Sequence, residues 1–153
     1  MSLEYKLLMI TKNNMDEILI NKKTTIERCI KRVFEDYDDD FNTNFTKQDA
    51  VILNIERACQ AAIDISNRIL RINKLGLPQS NRDTFLKLEK NGMISSELSK
   101  KLQSMAGFRN IAVHDYGSMN IEVVIEIVEK HLQNLLYFAQ SMIDLQEKSS
   151  ENT

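Results

Sequence analysis

The sequence predicts an all-α fold of about five helices from two observations. Its 153 residues include only one Pro and four Gly, too few chain-breaking residues for a sheet protein with many turns. Apolar residues also recur every three or four positions over long stretches, which places them along one face of a helix. The chain length suits a single domain that buries its own hydrophobic core.

The first predicted helix runs from Asp16 to Tyr37 and follows residues 1–14, which we interpret as an N-terminal appendage. Its apolar face comprises Ile26, Ile30, Val33, Phe34 and Tyr37. Its opposite face is basic and comprises Lys22, Lys23, Arg28, Lys31 and Arg32. Such a face either keeps a helix in solution or attracts a phosphate backbone. The acidic residues at 35–40 end the helix, and their spacing predicts a solvated turn instead of a calcium loop.

Thr46 and Asp49 have the spacing of a helix N-cap and its acidic partner, so they predict the start of a second helix. This helix is expected to end within residues 73–76, before the proline. Three polar residues lie near its apolar stripe, namely Asn54, Arg57 and Asp64. Because buried polar groups need partners, these residues either pair with neighbours or form a second wall of an active site.

Two further caps predict a short third helix and a fourth helix. Ser80 opens the third helix, with Asp83 at the acidic position, and residues 91–92 close it with Asn and Gly. Ser95 or Ser96 caps the fourth helix, whose stripe is Leu98, Leu102, Met105, Arg109 and Ala112. An arginine on this face needs an anionic partner or an interface.

Residues 118–120 can cap the last helix. Its β-branched opening is compatible with a strand, but the length and the continuing period predict a helix. His131 lies near the apolar stripe, and we interpret it as a packed, hydrogen-bonded core histidine. The polar tail is expected to fray, so the predicted domain spans residues 15–146 and the tail spans residues 147–153.

The composition excludes several classes of site. The net charge of −2 and the pI near 5.7 provide no overall basic field, so any contact with nucleic acid must be local or assembled across subunits. Cys29 and Cys59 lie in apolar helical patterns without a CxxC motif, and they are expected to be core residues. No cofactor or metal is expected. No signal-peptide pattern or apolar run of transmembrane length occurs, so we expect a cytoplasmic protein without membrane contact.

Residues 108–117 combine side chains that bind phosphate and transfer protons. In RNA cleavage a base removes the proton of the 2′-hydroxyl, and His114 is the residue type suited to this transfer. Arg109 suits the charge that builds on the phosphoryl oxygens, because its planar guanidinium stays protonated. Asn110 and Asp115 are candidate supporting residues. This chemistry requires no metal ion.

Arg109 and His114 are five positions apart, which separates them by about 140° on a regular helix. They cannot easily share one helix face. Either the helix ends near Val113 and the backbone turns His114 back, or Arg109 meets His114 of the partner subunit across a two-fold axis. Tyr116 would return to the face of Arg109 if the helix continued, and Gly117 is the predicted helix stop.

Residues 109–116 resemble the R-x4-H-x-Y motif of HepT toxins, which are HEPN-superfamily ribonucleases encoded beside a minimal nucleotidyltransferase antitoxin, MntA. The similarity covers roughly residues 15–145. It is carried in order by residues 24–30, 45–49, 54–59, 62–65 and 76–80.

The resemblance implies a HEPN-like antiparallel helical bundle that forms a homodimer, with Arg109 and His114 of both protomers in a cleft at the two-fold axis. It implies metal-independent cleavage of RNA, with tRNA as the expected substrate, and an arrest of growth. It also implies that an MntA antitoxin transfers AMP from ATP onto Tyr116 and thereby places phosphate charge beside Arg109. The basic faces of the two first helices would then supply the local positive groove.

Two other functions are compatible with the sequence. In the first, the chain is a non-catalytic helical partner, and Arg109, Asp115 and Tyr116 form only a dimer interface. In the second, it is a nucleotide-binding accessory subunit of a nucleotidyltransferase. That function predicts ATP binding by this chain alone, yet no Gly-rich phosphate loop occurs.

Overall fold

The computed structural model describes residues 2–6 and 16–151, and these residues form helices and turns without a strand. The all-α prediction is therefore confirmed. Within residues 16–151, six α-helices follow one another: α1 (Glu17–Asp36), α2 (Phe45–Ile72), α3 (Asn81–Lys90), α4 (Ser96–His114), α5 (Ile121–Glu126) and α6 (Leu132–Glu151). A π-helical turn, Ile127–His131, joins α5 to α6. Residues 7–14 of the predicted appendage lie outside the described residues.

Helix α1 begins where the sequence predicts. Asp16 is its N-cap, and its carboxylate accepts hydrogen bonds from the backbone N–H groups of Ile18 and Leu19. The same carboxylate accepts a 2.9 Å hydrogen bond from Arg68 Nε, which ties the start of α1 to α2. Ile26, Ile30 and Val33 of the predicted apolar face are buried, Tyr37 is half-buried, and Phe34 is 50% exposed. Phe34 lies at the edge of the stripe, so the helix rotates it away from the core.

The start of α2 differs from the prediction. Asn44, and not Thr46, is the N-cap, and its side-chain oxygen accepts a 3.1 Å hydrogen bond from the Lys47 backbone N–H. Asparagine is at least as strong a cap as threonine, and it comes first in the chain. Asp49 therefore lies beyond the first turn, and its carboxylate is available for another partner.

The acidic turn after α1 is neutralised by a lysine. Lys47 Nζ lies 2.6 Å from Asp38 and 2.5 Å from Asp40. These hydrogen bonds raise the pKa of Lys47 and hold the pKa of Asp40 below its usual range. The segment is a lysine-bridged turn between α1 and α2.

Helix α2 lies at the centre of the bundle and packs against α1, α3, α4 and α6. Its apolar side chains form the core together with Phe85 of α3 and Phe138 of α6, whose rings meet edge to face at 5.9 Å. Cys29 and Cys59 are free thiols buried in this core, as predicted. Serines cap α3 and α4 at the predicted positions, Ser80 and Ser95.

The last predicted helix is also confirmed, with Asn120 as its N-cap. Helix α6 continues to Glu151. The expectation of a frayed tail is therefore wrong for residues 147–151. Gln, Glu and Lys are good helix formers, which accounts for the continuation. No helix within the described residues combines the length and the apolar character needed to cross a bilayer.

Candidate functional site

Helix α4 carries the predicted site and stays helical through His114. Asp115 is its C-cap, and the backbone N–H of Asp115 donates a 2.9 Å hydrogen bond to the Ile111 carbonyl. The prediction of Gly117 as the helix stop is wrong. Gly117 lies in a 3-10 turn, Tyr116–Ser118, and does not have a positive φ. The helix ends three residues earlier because the Asp115 backbone already leaves the helical region, at φ −148° and ψ 50°.

Arg109 lies on the side of α4 that packs against α2. Its Nε is buried and has no hydrogen-bond acceptor in the part of the chain that the structure describes. Burial raises the pKa of the neighbouring Cys59 thiol to about 12, with a smaller rise from Glu56 and a lowering by the Arg109 charge. The guanidinium is therefore held close to the middle of α2.

His114 and Asp115 are exposed at the end of α4. Because α4 is helical from Arg109 to His114, their side chains leave the axis about 140° apart. The helix ends one residue beyond Val113, but His114 is itself helical, so the backbone does not turn its side chain back towards Arg109. One chain therefore does not bring Arg109 and His114 onto a single helix face.

Tyr116 contacts α2 through a residue that the sequence analysis did not assign to the site. Its hydroxyl donates a hydrogen bond to Asp49 Oδ1, across 67 positions of sequence. The pKa of Tyr116 rises to about 12, because of partial burial first and then the hydrogen bond and charge of Asp49. The available signal was Asp49 itself, an acidic residue within the segment 45–49 that carries the family resemblance, but its spacing from Thr46 favoured a capping role.

Asn110 lines a cleft of about 830 Å³ between α4 and the α5–α6 segment. The floor of the cleft is apolar, and its basic residues are Arg82, Lys100 and Lys101. His131 of the π turn also lines it, with Nε2 3.9 Å from Glu126 Oε1, beyond hydrogen-bonding distance. The prediction of a hydrogen-bonded core histidine is therefore wrong. The π turn changes the helical register and directs His131 towards the cleft.

The polar residues near the stripe of α2 have different surroundings. Asp64 pairs with Lys22 at 2.8 Å and accepts a hydrogen bond from Gln60, so its predicted structural pairing is confirmed. The Asn54 amide donates to the Ala50 carbonyl. Arg57 is exposed and lines a small pocket of about 270 Å³ with Arg28 and Arg32 of α1. These three arginines form a basic patch, named here the α1–α2 patch.

Residues that could bind a metal are not grouped in the described chain. Within residues 2–6 and 16–151, no three side chains of His, Cys, Asp or Glu come together in a way that could hold an ion.

Known proteins match this chain over most of its length. A family model described as Ribonuclease HepT-like matches residues 23–142. An mRNA nuclease HepT of Shewanella oneidensis is 49% identical over 126 residues, which cover 81% of this chain and 95% of the relative. A tRNA nuclease HepT of Aphanizomenon flos-aquae is 32% identical over 103 residues, which cover 67% of this chain and 70% of the relative.

Two solved structures share the fold. One is described as the tri-AMPylated Shewanella oneidensis HEPN toxin in complex with MNT antitoxin. It aligns with a TM-score of 0.79 and 47% identity over 83% of this chain and 97% of that chain. The other is a toxin-antitoxin complex with AMP-PNP, with a TM-score of 0.80 and 46% identity over 83% and 98% of the two chains. Since the family model spans most of the chain and agrees with these relatives, the chain belongs to the HepT-like ribonuclease family of HEPN proteins.

Proposed function

We propose that this chain is the toxin of a toxin-antitoxin pair and cleaves RNA with Arg109 and His114. Membership of the HepT-like family supports the ribonuclease class. The single observation that carries the residue assignment is the placement of Arg109, a cation held against α2 with no acidic partner among the ion pairs of the described residues. A cation held in this way is suited to bind a substrate phosphate.

The two side chains divide the chemistry. His114 is exposed at the end of α4, where it can accept the proton of an RNA 2′-hydroxyl. Arg109 offers N–H groups to the phosphoryl oxygens and stays charged throughout. A buried N–H without an acceptor costs about 1–3 kcal/mol, so the free protein holds Arg109 at some expense of stability. Asn110 and Asp115 are assigned supporting roles beside this pair.

The complete site is assigned to a homodimer. Phe45, Asp49 and Leu53 are four residues apart and share one face of α2, and Tyr116 contacts the middle residue of the three. Phe45 is 77% exposed, Leu53 44% and Val113 44%. Exposed apolar side chains grouped in this way mark a protein interface. A two-fold axis here would bring Arg109 towards His114 of the partner subunit, and the separation of the two side chains on one helix supports such an arrangement.

Neutralisation is assigned to an MntA-type nucleotidyltransferase, which would transfer AMP from ATP to Tyr116. The solved structure of a tri-AMPylated HEPN toxin with its MNT antitoxin supports this assignment. Tyr116 is 44% exposed, so a modifying enzyme can reach it. The added phosphate would compete with RNA for the nearby cationic groups.

The proposal extends to the substrate, the location and the domain boundaries. The relatives include an mRNA nuclease and a tRNA nuclease. The expected substrate is tRNA, and mRNA is the second substrate to be tested. The cytoplasm, where RNA and ATP are available, is the expected location. The functional domain is placed at residues 15–146, with residues 147–153 as a polar tail.

The test is cleavage of purified tRNA and mRNA by the full chain, with and without EDTA. We expect cleavage in both conditions and a loss of about 10²-fold or more in Arg109→Ala and His114→Ala. Arg82→Ala and His131→Ala are matched controls, because they remove the same residue types from the cleft. Undiminished cleavage by the first two variants would refute the residue assignment. A dimeric wild type without nuclease activity would favour a non-catalytic partner.

A further inference from the structure

The contact between Tyr116 and Asp49 has the composition of a proton-transfer pair. Helix α2 presents the Asp49 carboxylate, and the 3-10 turn after α4 presents the Tyr116 hydroxyl, which donates its hydrogen bond to Asp49 Oδ1. Asp49 has no ion pair among the described residues. Its carboxylate therefore directs its negative charge at the phenol without a competing cation.

A tyrosine must lose its phenolic proton to become a phosphodiester. The surroundings of Tyr116 oppose prior ionisation, since they raise its pKa to about 12. At neutral pH only about one phenol in 10⁵ would be ionised at that pKa. An efficient transfer therefore needs a group that takes the proton as the new bond forms. The hydrogen-bonded carboxylate is already in position to take it.

We propose that Asp49 accepts the phenolic proton of Tyr116 during AMP transfer, an inference that rests on the proposed function. The bond from Tyr116 Oη to the α-phosphorus of ATP forms, and the bond from that phosphorus to the bridging oxygen breaks. Pyrophosphate leaves with the electron pair, and the proton moves to Asp49 Oδ1. ATP, held by the antitoxin, is the co-reactant.

This role is limited to the first AMP. A tyrosine has one hydroxyl, so any further AMP on Tyr116 must be joined to the AMP already attached. That later acceptor is not the phenol, and it does not have the hydrogen bond to Asp49. Asp49 is therefore required for the first addition and not for later ones.

The test follows AMP addition to the full-length protein by purified MNT antitoxin and ATP, with intact-mass spectrometry. We expect the first addition to be about 10²-fold slower in Asp49→Asn, the typical size of a lost general base. Asp49→Glu should recover part of the rate, because it restores a carboxylate. The matched control is Glu122→Gln, which makes the same charge change at an exposed residue of α5. Thermal unfolding and gel filtration of each variant establish that it is folded.

The pH dependence separates proton acceptance from simple positioning. Without Asp49 the reaction depends on the ionised phenol, whose fraction rises with pH. The ratio of wild-type to Asp49→Asn rates should therefore fall as pH rises, and the pH dependence of the antitoxin cancels in this ratio. A constant ratio would assign Asp49 a positioning role and overturn the proposal.

Two other results would overturn it. One is a first addition in Asp49→Asn at the wild-type rate, and the other is an equal slowing of the first and later additions. Failure of the proposed function gives a different result, because it is detected with wild type and Tyr116→Phe, in which Asp49 is unchanged. If wild type is not modified, or if Tyr116→Phe is modified as fast as wild type, Tyr116 is not the AMP acceptor. The role proposed for Asp49 is then also refuted.

Discussion

The two sides of α4 differ in charge, shape and exposure. One side faces α2 and carries Arg109, with the Tyr116–Asp49 contact at its end. The other side forms the wall of the 830 Å³ cleft, with an apolar floor and the side chain of Asn110. The side with the cleft thus lacks Arg109 and the Tyr116–Asp49 contact.

In the proposed dimer, cavity size would be a poor guide to the position of the site. Half of a site at a two-fold axis is an open surface in the single chain, because its other wall belongs to the partner subunit. For that proposal, exposed apolar side chains and a cation without an acidic partner among the described residues are the better guides. Both occur on the α2 side, at Val113 and Leu53 and at Arg109.

The largest expected effect comes from mixing two inactive variants. Arg109→Ala and His114→Ala should each lose about 10²-fold or more of the cleavage rate. When the two variants are co-expressed, some dimers contain one copy of each. If Arg109 of one subunit acts with His114 of the other, one site of each mixed dimer has both residues intact. With random pairing about half of the dimers are mixed, and one of the two sites in each mixed dimer is intact. Roughly a quarter of the wild-type number of sites is therefore restored. Recovery is measured as RNA cleavage by the purified mixture, and no recovery would place the complete pair in one chain.

Dimer formation distinguishes the two sides with a matched pair of valines. Val113 is 44% exposed beside the α2 side, and Val123 is 42% exposed in the cleft. Val113→Asp should weaken the dimer by tens-fold, because a charge is buried in an apolar interface. Val123→Asp should leave the dimer intact. Sedimentation over a concentration series measures both, and the opposite ranking would move the interface to the cleft.

Charge reversal compares the basic groups of the two sides. Arg32→Glu and Arg57→Glu change the α1–α2 patch, and Arg82→Glu and Lys100→Glu change the cleft. We expect several-fold weaker RNA binding and a shallower salt dependence for the patch variants only. Each phosphate contact that is lost reduces the number of counterions released when RNA binds. RNA affinity measured over a salt series gives both quantities. An equal or larger effect in the cleft would assign the RNA path to that side.

The smallest signal is the titration of one tyrosine. The pKa of Tyr116 is raised to about 12, so its protonated form contributes stability that is present below pH 10 and is lost as pH rises through 12. Absorbance of tyrosinate should show a late step that Tyr116→Phe removes, while Tyr37, whose pKa is also raised by burial and by Glu129, titrates in both proteins. Asp49→Asn should move that step to lower pH, because the charge of the carboxylate is lost. A late step unchanged in both variants would belong to another tyrosine.

Sequence reasoning predicts the features that depend on local contacts. The caps at Ser80 and Ser95 and the apolar stripes follow from neighbours within a few residues, and the structure confirms them. The cap at Thr46 is wrong because Asn44, two residues earlier, competes for the same backbone groups. The Tyr116–Asp49 contact joins residues 67 positions apart, and no local pattern encodes such a pair. The family motif predicted which residues to examine, and only the fold relates them to α2.

Because of the π turn at Ile127–His131, the shape of the cleft can change independently of helix α4. A π turn contains one residue more than an α turn, so its loss would rotate α5 against α6 by about 100°. Val124 would leave the core and His131 would leave the cleft wall. Helix α4 and its motif do not depend on this extra residue. A single insertion or deletion can therefore reshape the cleft while the residues proposed for catalysis keep their register.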